Sequence, residues 1–293
     1  MQKGVYNRGA IIMLWITAAI WGFAFVAQRA GMEFIGPFTY NGIRFLLGSA
    51  SLVPLILWMK YKKKSQSAKQ KKILKGGLLV GIVLFLGASL QQAGMVYTTA
   101  GKAGFITGFY VILVPIIGFF IGQHITRILW MGAFIALAGL YLLTIDGPFV
   151  LQYGDLLILL SAFFWAIHVQ LINKLVDTHA ALPLAAFQFA ICGILSLSTA
   201  FIFETITIET IFQATWPLLY GGLMSVGIAY TMQVVAQQHV HPVYATIILS
   251  FESVFAVIGG WLLLNEILSL RNLAGCLLML AGMIMVQVWG SKR

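Results

Sequence analysis

The chain has 293 residues, of which 60% are hydrophobic and 9% charged, and it carries a formal net charge of +10. Soluble domains carry about 25% charged residues, so a water-soluble fold of this size is excluded, because its apolar surface could not be hidden. The lysines concentrate in one stretch, 60–72, YKKKSQSAKQKKI, which argues for membrane orientation and against a nucleic-acid partner.

Ten apolar spans are expected, at 9–30, 38–59, 73–97, 101–122, 128–145, 153–173, 181–203, 215–237, 242–264 and 271–290. Crossing a hydrocarbon core of ~30 Å takes ~20 apolar residues. The first span has a long apolar run and no convincing cleavage site, so it reads as a retained helix rather than a signal peptide. Apart from 60–72 the connections are short, which predicts one helical bundle and an all-α membrane protein. Cys192 and Cys276 fall inside apolar runs, with no metal or disulfide spacing. No metal, cofactor or nucleotide motif is found: there is no GxxxxGK[ST], no HExxH and no Gly-x-Ser-x-Gly. An enzyme is therefore not expected.

Lysine and arginine counts set the orientation. With a cytoplasmic N-terminus, 14 of the 18 basic residues fall inside, while Arg29, Lys102 and Arg271 fall outside and Arg44 lies within the second span. Both termini are then cytoplasmic. The loop 60–72 would also meet anionic lipid headgroups.

The two halves resemble one another. Residues 99–122 repeat the pattern of 241–264, pairing Ala103 with Ala245, Ile106 with Ile248, Phe109 with Phe251 and Gly118 with Gly260. Trp21 pairs with Trp165, Phe45 with Phe189, Gln91 with Gln233, Gly132 with Gly275 and Gly139 with Gly282. The order is preserved over five spans, which is a far stronger signal than any single identity. The expected organisation is two five-helix repeats, 1–147 and 148–293. Because five is odd, the second must enter the membrane from the opposite side, making an inverted repeat.

Inverted repeats place a substrate site near the bilayer midplane, where the halves meet. Polar and aromatic residues at mid-depth are thus the candidates: Trp21, Gln91, Tyr110, Trp165, His168, Gln233 and Glu252 are expected to line a cavity. Glu252 is the sharpest of them. A carboxylate at mid-membrane costs roughly 2.5–3.5 kcal/mol on insertion scales, so it must face protein or a wet cavity. It suits a substrate amine or a titrating proton, although a structural ion pair to Arg44 satisfies the same energetics. His168 could share proton coupling with Glu252, or bond a neighbouring helix as a neutral ring. Arg44 suits a substrate carboxylate, a structural ion pair, or snorkelling to the outer interface. Gly104 with Gly108, and Gly118 with Gly122, form GxxxG steps expected to bring helices close. Pro54, Pro115 and Pro217 should bend their spans.

The stretches WGFAFVAQRAG (21–31), IRFLLG in the second span, YTTAGKAGFITGFYVILVP (97–115) and VHPVYATIILSFESVFAVIGGWLLLNEILSLRNLAGCLLMLAG (240–282) resemble the drug/metabolite transporter superfamily, specifically its EamA-type ten-helix carriers. The family often has Glu-Pro where this chain has Glu252-Ser253 and Tyr110-Val111. The resemblance implies two EamA-like repeats around a central cavity and export or exchange of small metabolites such as amino acids, by alternating access in a cytoplasmic membrane. A broad exporter of aromatic or cationic compounds is the alternative, and a membrane-embedded enzyme or lipid scramblase the alternative of another class.

Overall fold

The computed structural model describes residues 7–62, 70–98, 100–144, 152–176, 181–264 and 269–289. The basic stretch expected over 60–72 falls largely outside them, as do Lys3, Glu266, Lys292 and Arg293. Among the described residues the regular structure is entirely helical. That is what a bilayer demands of a chain this apolar, since a helix satisfies its own backbone polar groups where water cannot.

In chain order the helices are α1 (Arg8–Gly31), α2 (Pro37–Lys62), α3 (Gln70–Met95), α4 (Ala100–Gly108), α5 (Tyr110–Phe120), α6 (Arg127–Thr144), α7 (Tyr153–Val176) and α8 (Ala181–Phe203). Then come α9 (Ile208–Gln213), α10 (Thr215–Leu219), a π-helical stretch (Tyr220–Tyr230), α11 (Thr231–Ala236), α12 (Pro242–Leu249), α13 (Glu252–Leu264) and α14 (Leu270–Trp289). Eight helical segments among the described residues are long and apolar enough to cross a membrane. Two of these eight are composite, α4 with α5 and α12 with α13, and a third joins α10, the π stretch and α11. The remaining two expected spans are the apolar but shorter helices Arg127–Leu142 and Leu270–Val286.

Local chemistry sets several helix ends. The Asn7 side chain caps α1 by accepting from Ala10 N at 3.2 Å. Pro242 opens α12, where its missing N–H is harmless. The start of α2 is capped from a distance: Glu204, just past α8, accepts from Phe38 N and Thr39 N, each at 2.8 Å, and from Thr39 Oγ1 at 2.6 Å. A carboxylate there satisfies orphan N–H groups and complements the positive end of the helix dipole. A Cβ on Gly36 would collide with that carboxylate, so glycine keeps the approach open. Glu204→Ala is expected to cost about 0.5–2 kcal/mol, the usual value of a lost N-cap. A fall in apparent Tm in detergent would register it, and an unchanged Tm would show that the cap contributes nothing.

The packing across the middle of the chain falls into exchange-related pairs. α6 runs along α14 and α2 along α8, and these are the most extensive helix contacts. α3 packs on α7 while α1 packs on the π stretch and α11; α3 packs on α8 while α2 packs on the π stretch; α4 and α5 pack on α7 while α12 and α13 pack on α1. Each interface therefore has its mate when the two halves are swapped, as a twofold relation requires. The α6–α14 seam shows this at atomic scale. A Cβ on Gly132 would lie 3.2 Å from Gly282 O, and one on Gly139 would lie 2.7 Å from Gly275 O. Since Gly132 pairs with Gly275 and Gly139 with Gly282 in the sequence repeat, the two contacts are images of one another. Small residues here let backbones approach, the main source of helix adhesion in lipid.

The glycines expected to pack elsewhere differ among themselves. A Cβ on Gly108 would meet Leu140 Cδ1 at 2.8 Å, whereas at Gly104 the nearest atom would be 3.6 Å away. Gly122 is a correction: it has φ +81° and nothing within 4 Å, so it ends a helix in the left-handed region instead of packing against a neighbour.

Candidate functional site

Two repeat-related helices are broken at matching points. The span 100–120 is interrupted at Phe109, so that Tyr110 opens α5, and the span 242–264 is interrupted at Ser250 and Phe251, so that Glu252 opens α13. Around each break the hydrogen bonds shorten to i→i+3: Phe109 N to Ile106 O at 3.2 Å, and Phe251 N to Ile248 O at 3.1 Å. Pro115 lies past the first break, inside α5, where it removes one N–H from that helix. The second forms without a proline. There the Ser250 Oγ donates to Ile247 O at 2.8 Å, and the Ser253 Oγ donates across to Gly104 O at 2.9 Å. Glu252 thus stands at a helix N-terminus, where the dipole favours a carboxylate.

The breaks open onto a cavity that, counted together with the open space at its mouth, encloses about 480 Å³. Trp21, Phe25, Gln28, Arg44, Gln91, Thr107 and Tyr110 line it from the first half, and Trp165, Val169, Ser225, Tyr230, Gln233, Leu249 and Glu252 from the second. Its aromatic centre is Tyr230. Trp21 lies 4.5 Å from the Tyr230 ring, Trp165 stacks on it at 5.9 Å with 27° between planes, and Phe45 and Phe189 each approach it at 5.9 Å. Tyr230 ends the π stretch, whose wide turns are tied to α1 by side chains. Trp21 Nε1 donates to Ser225 O at 3.3 Å, Thr17 Oγ1 to Ala229 O at 3.1 Å, and Tyr220 OH to Ile20 O at 3.0 Å. π-helical turns recur at functional sites.

The polar part of the wall is only partly satisfied. Gln91 Nε2 donates to Thr107 Oγ1 at 2.9 Å. In contrast, Gln28 Oε1, Arg44 Nη2, Trp165 Nε1 and Gln233 Oε1 are buried without a hydrogen-bond partner. The Tyr110 phenol and the Glu252 carboxyl interact with one another, yet no bond of ordinary geometry reaches the Tyr110 hydroxyl or Glu252 Oε1. Buried polar groups are normally paired, so this many around one cavity is the pattern of a site that receives a polar ligand or water.

Of the residues singled out from sequence, the structure brings Trp21, Gln91, Tyr110, Trp165, Gln233 and Glu252 to this wall. His168 is not among the lining residues. It is fully buried behind Trp165, with Nε2 2.8 Å from Gln188 Oε1 and its ring edge-on to Trp165 at 5.9 Å. One turn beyond Trp165 on α7, it faces α8 rather than the opening. Arg44 departs from both structural roles considered for it. It is 1% exposed and so does not snorkel, because α8 and the π stretch enclose that face of α2. Among the described residues no carboxylate lies within ion-pair distance of it. Its Nε donates to Asn41 Oδ1 at 2.9 Å, and its Cζ sits 4.9 Å from the Phe45 ring centre and 5.3 Å from that of Tyr40.

Sequence reasoning did not single out Phe25, Thr107, Val169, Ser225 or Leu249 as lining residues. Four of them were within reach of helical spacing. Phe25 follows Trp21 by four, Val169 follows Trp165 by four, Thr107 precedes Tyr110 by three and Leu249 precedes Glu252 by three, all positions on one helix face. Ser225 lies in the π stretch, whose register α-helical spacing does not predict.

Two stretches of the chain, 8–145 and 152–288, match the family described as EamA-like transporters. The chain is similar to an uncharacterized transporter, YoaV, of Bacillus subtilis (strain 168), at 29% identity over 94% of this chain and 95% of the relative. It is also similar to an S-adenosylmethionine/S-adenosylhomocysteine transporter of Chlamydia muridarum, at 25% identity over 88% of this chain and 85% of that one. A solved crystal structure shares the fold with a TM-score of 0.78 at 16% identity, covering 96% of this chain and 97% of its own.

Proposed function

Because the chain belongs to the EamA-like transporter family, and through it to the drug/metabolite transporter superfamily, we propose that it is a secondary exporter of small polar or amphipathic metabolites, amino acids or related solutes. The membership makes it a multi-pass membrane transporter of small molecules. The observation that supports the finer reading is the cavity itself. It takes seven lining residues from each half, has aromatic walls, and is ringed by buried polar atoms that the protein leaves unpaired. Apolar walls supply contact area and a few polar groups set orientation, as small-molecule sites require.

In this proposal two inverted repeats, 1–147 and 148–293, expose the cavity alternately to either side of a cytoplasmic membrane, with both termini inside and the basic stretch 60–72 near anionic lipid. The helix breaks at Phe109 and at Ser250–Phe251 are the hinges of such motion in this reading, since the α-helical bond pattern is already interrupted there. Glu252 lines the cavity and is the proton-coupling candidate; His168, one layer behind, could act only through Trp165 or Tyr230. A second reading, a broad exporter of aromatic cations, draws support from the Trp21, Trp165 and Tyr230 rings beside a carboxylate, an arrangement that favours flat cations.

Purified protein in liposomes, assayed with a panel of amino acids, nucleosides and planar cations, tests the proposal. Saturable flux of at least one metabolite is expected. Absence of saturable flux for the whole panel, or lipid flipping in its place, would overturn it.

A further inference from the structure

The cavity is lined by a guanidinium and a carboxyl group that do not pair with each other. Arg44 contributes a guanidinium that is 1% exposed, holds a neutral amide at Nε, leaves Nη2 without a partner and, among the described residues, has no carboxylate within ion-pair distance. A guanidinium keeps its charge in any protein environment, and burying one without a counter-ion is costly. Glu252 contributes the opposite pole, with Oε1 unpartnered at the start of α13. Tyr230, the aromatic centre, lines the same cavity as both.

Resting on the transporter reading above, we infer that Arg44 and Glu252 are the two ends of a zwitterion site: Arg44 reads a carboxylate, Glu252 reads an ammonium, and the rings of Trp21, Trp165 and Tyr230 hold an apolar or aromatic side chain. The planar guanidinium, steadied by Asn41, suits a carboxylate, whose two oxygens match its fork. Satisfying Arg44 Nη2 and Glu252 Oε1 with one solute removes two buried imbalances together. A solute with only one of the charges leaves the other side chain uncompensated, which makes Arg44 the residue that separates amino-acid-like solutes from plain organic cations.

Three probes of one shape decide this without altering the protein: L-phenylalanine, phenethylamine, which lacks the carboxylate, and 3-phenylpropanoate, which lacks the ammonium. Each is assayed for saturable flux in proteoliposomes of the native chain, and for competition with labelled phenylalanine. Phenylalanine is expected to be carried, with either analogue about 30-fold weaker or more, as for truncating one partner of a buried charge pair. Arg44→Lys, which keeps the charge and loses the fork, should narrow the preference for phenylalanine over phenethylamine and leave that over 3-phenylpropanoate. Phenethylamine carried as well as phenylalanine overturns the Arg44 assignment, and 3-phenylpropanoate carried as well overturns that of Glu252. In both cases the transport reading stands. Failure of all three probes overturns the zwitterion site, and the wider panel then decides separately whether the protein transports at all.

Discussion

Glu252→Gln is expected to lower saturable flux in liposomes by about 30-fold or more, the scale of losing one member of a buried charge recognition. The change keeps the shape and one acceptor oxygen, and replaces the ionisable oxygen with an NH2 donor that cannot pair with an ammonium. The side chain is 4% exposed, stands at the first residue of α13, and touches the Tyr110 phenol across the repeat boundary. It does not hold the break open: Ser250, bonded to Ile247 O, and Ser253, bonded to Gly104 O, do that. The variant should therefore elute and melt like the native protein while transport falls. Undiminished flux would remove Glu252 from the binding site. If flux in the variant keeps its full response to an imposed pH gradient, Glu252 is not the coupling group either.

The second large effect is structural. Gly22 lies one residue past Trp21, where α1 packs directly on the first turn of α13. A Cβ there would sit 2.7 Å from Glu252 O and 2.8 Å from Ala256 N, and would overlap the Cβ of Phe255. These are backbone atoms and the root of a side chain, so none can swing aside. Gly22→Val is expected to cost about 1–3 kcal/mol or more, the range for overpacking, and to displace Glu252 as well. Apparent Tm in detergent and liposome flux should fall together. Gly101→Ala is the control, because nothing lies within 4 Å of its Cβ position and alanine is the better helix former. A Gly22→Val protein as stable as the Gly101→Ala one would mean that α1 and α13 are not so closely apposed.

Much of the architecture could be read from the sequence because bilayer physics writes it in composition. Apolar length marks the spans, and the ordered matches of Trp21 with Trp165 and Gln91 with Gln233 mark the repeat. Six of the residues picked from depth and pairing stand on the wall of one cavity. The rest was hidden for identifiable reasons. Apolar runs report length but not hydrogen-bond register, so 101–122 and 242–264 read as single helices and 215–237 as ordinary α-helix. The structure instead breaks the first two and widens the third into π turns. Arg44 read as a residue near an interface because sequence position gives depth along one helix and says nothing of which neighbour covers it. His168 shares an element with Trp165 but not its outlook, since one helical turn points it toward Gln188. Tyr230 stands where the repeat has Ala88, so a search for matched pairs undervalued the ring at the centre of the cavity.

The seams between α2 and α8 and between α6 and α14 each join a helix of one repeat to a helix of the other, and Glu204 clasps the first of them at its end. The halves of the sequence are consequently dovetailed in space. Were each to swing as an undivided block, the two longest seams in the molecule would have to peel apart. If the cavity opens to the two sides in turn, as proposed above, the bodies that shift are then drawn across the duplication, with these two mixed pairs as fixed posts and the interrupted helices as the doors hung between them.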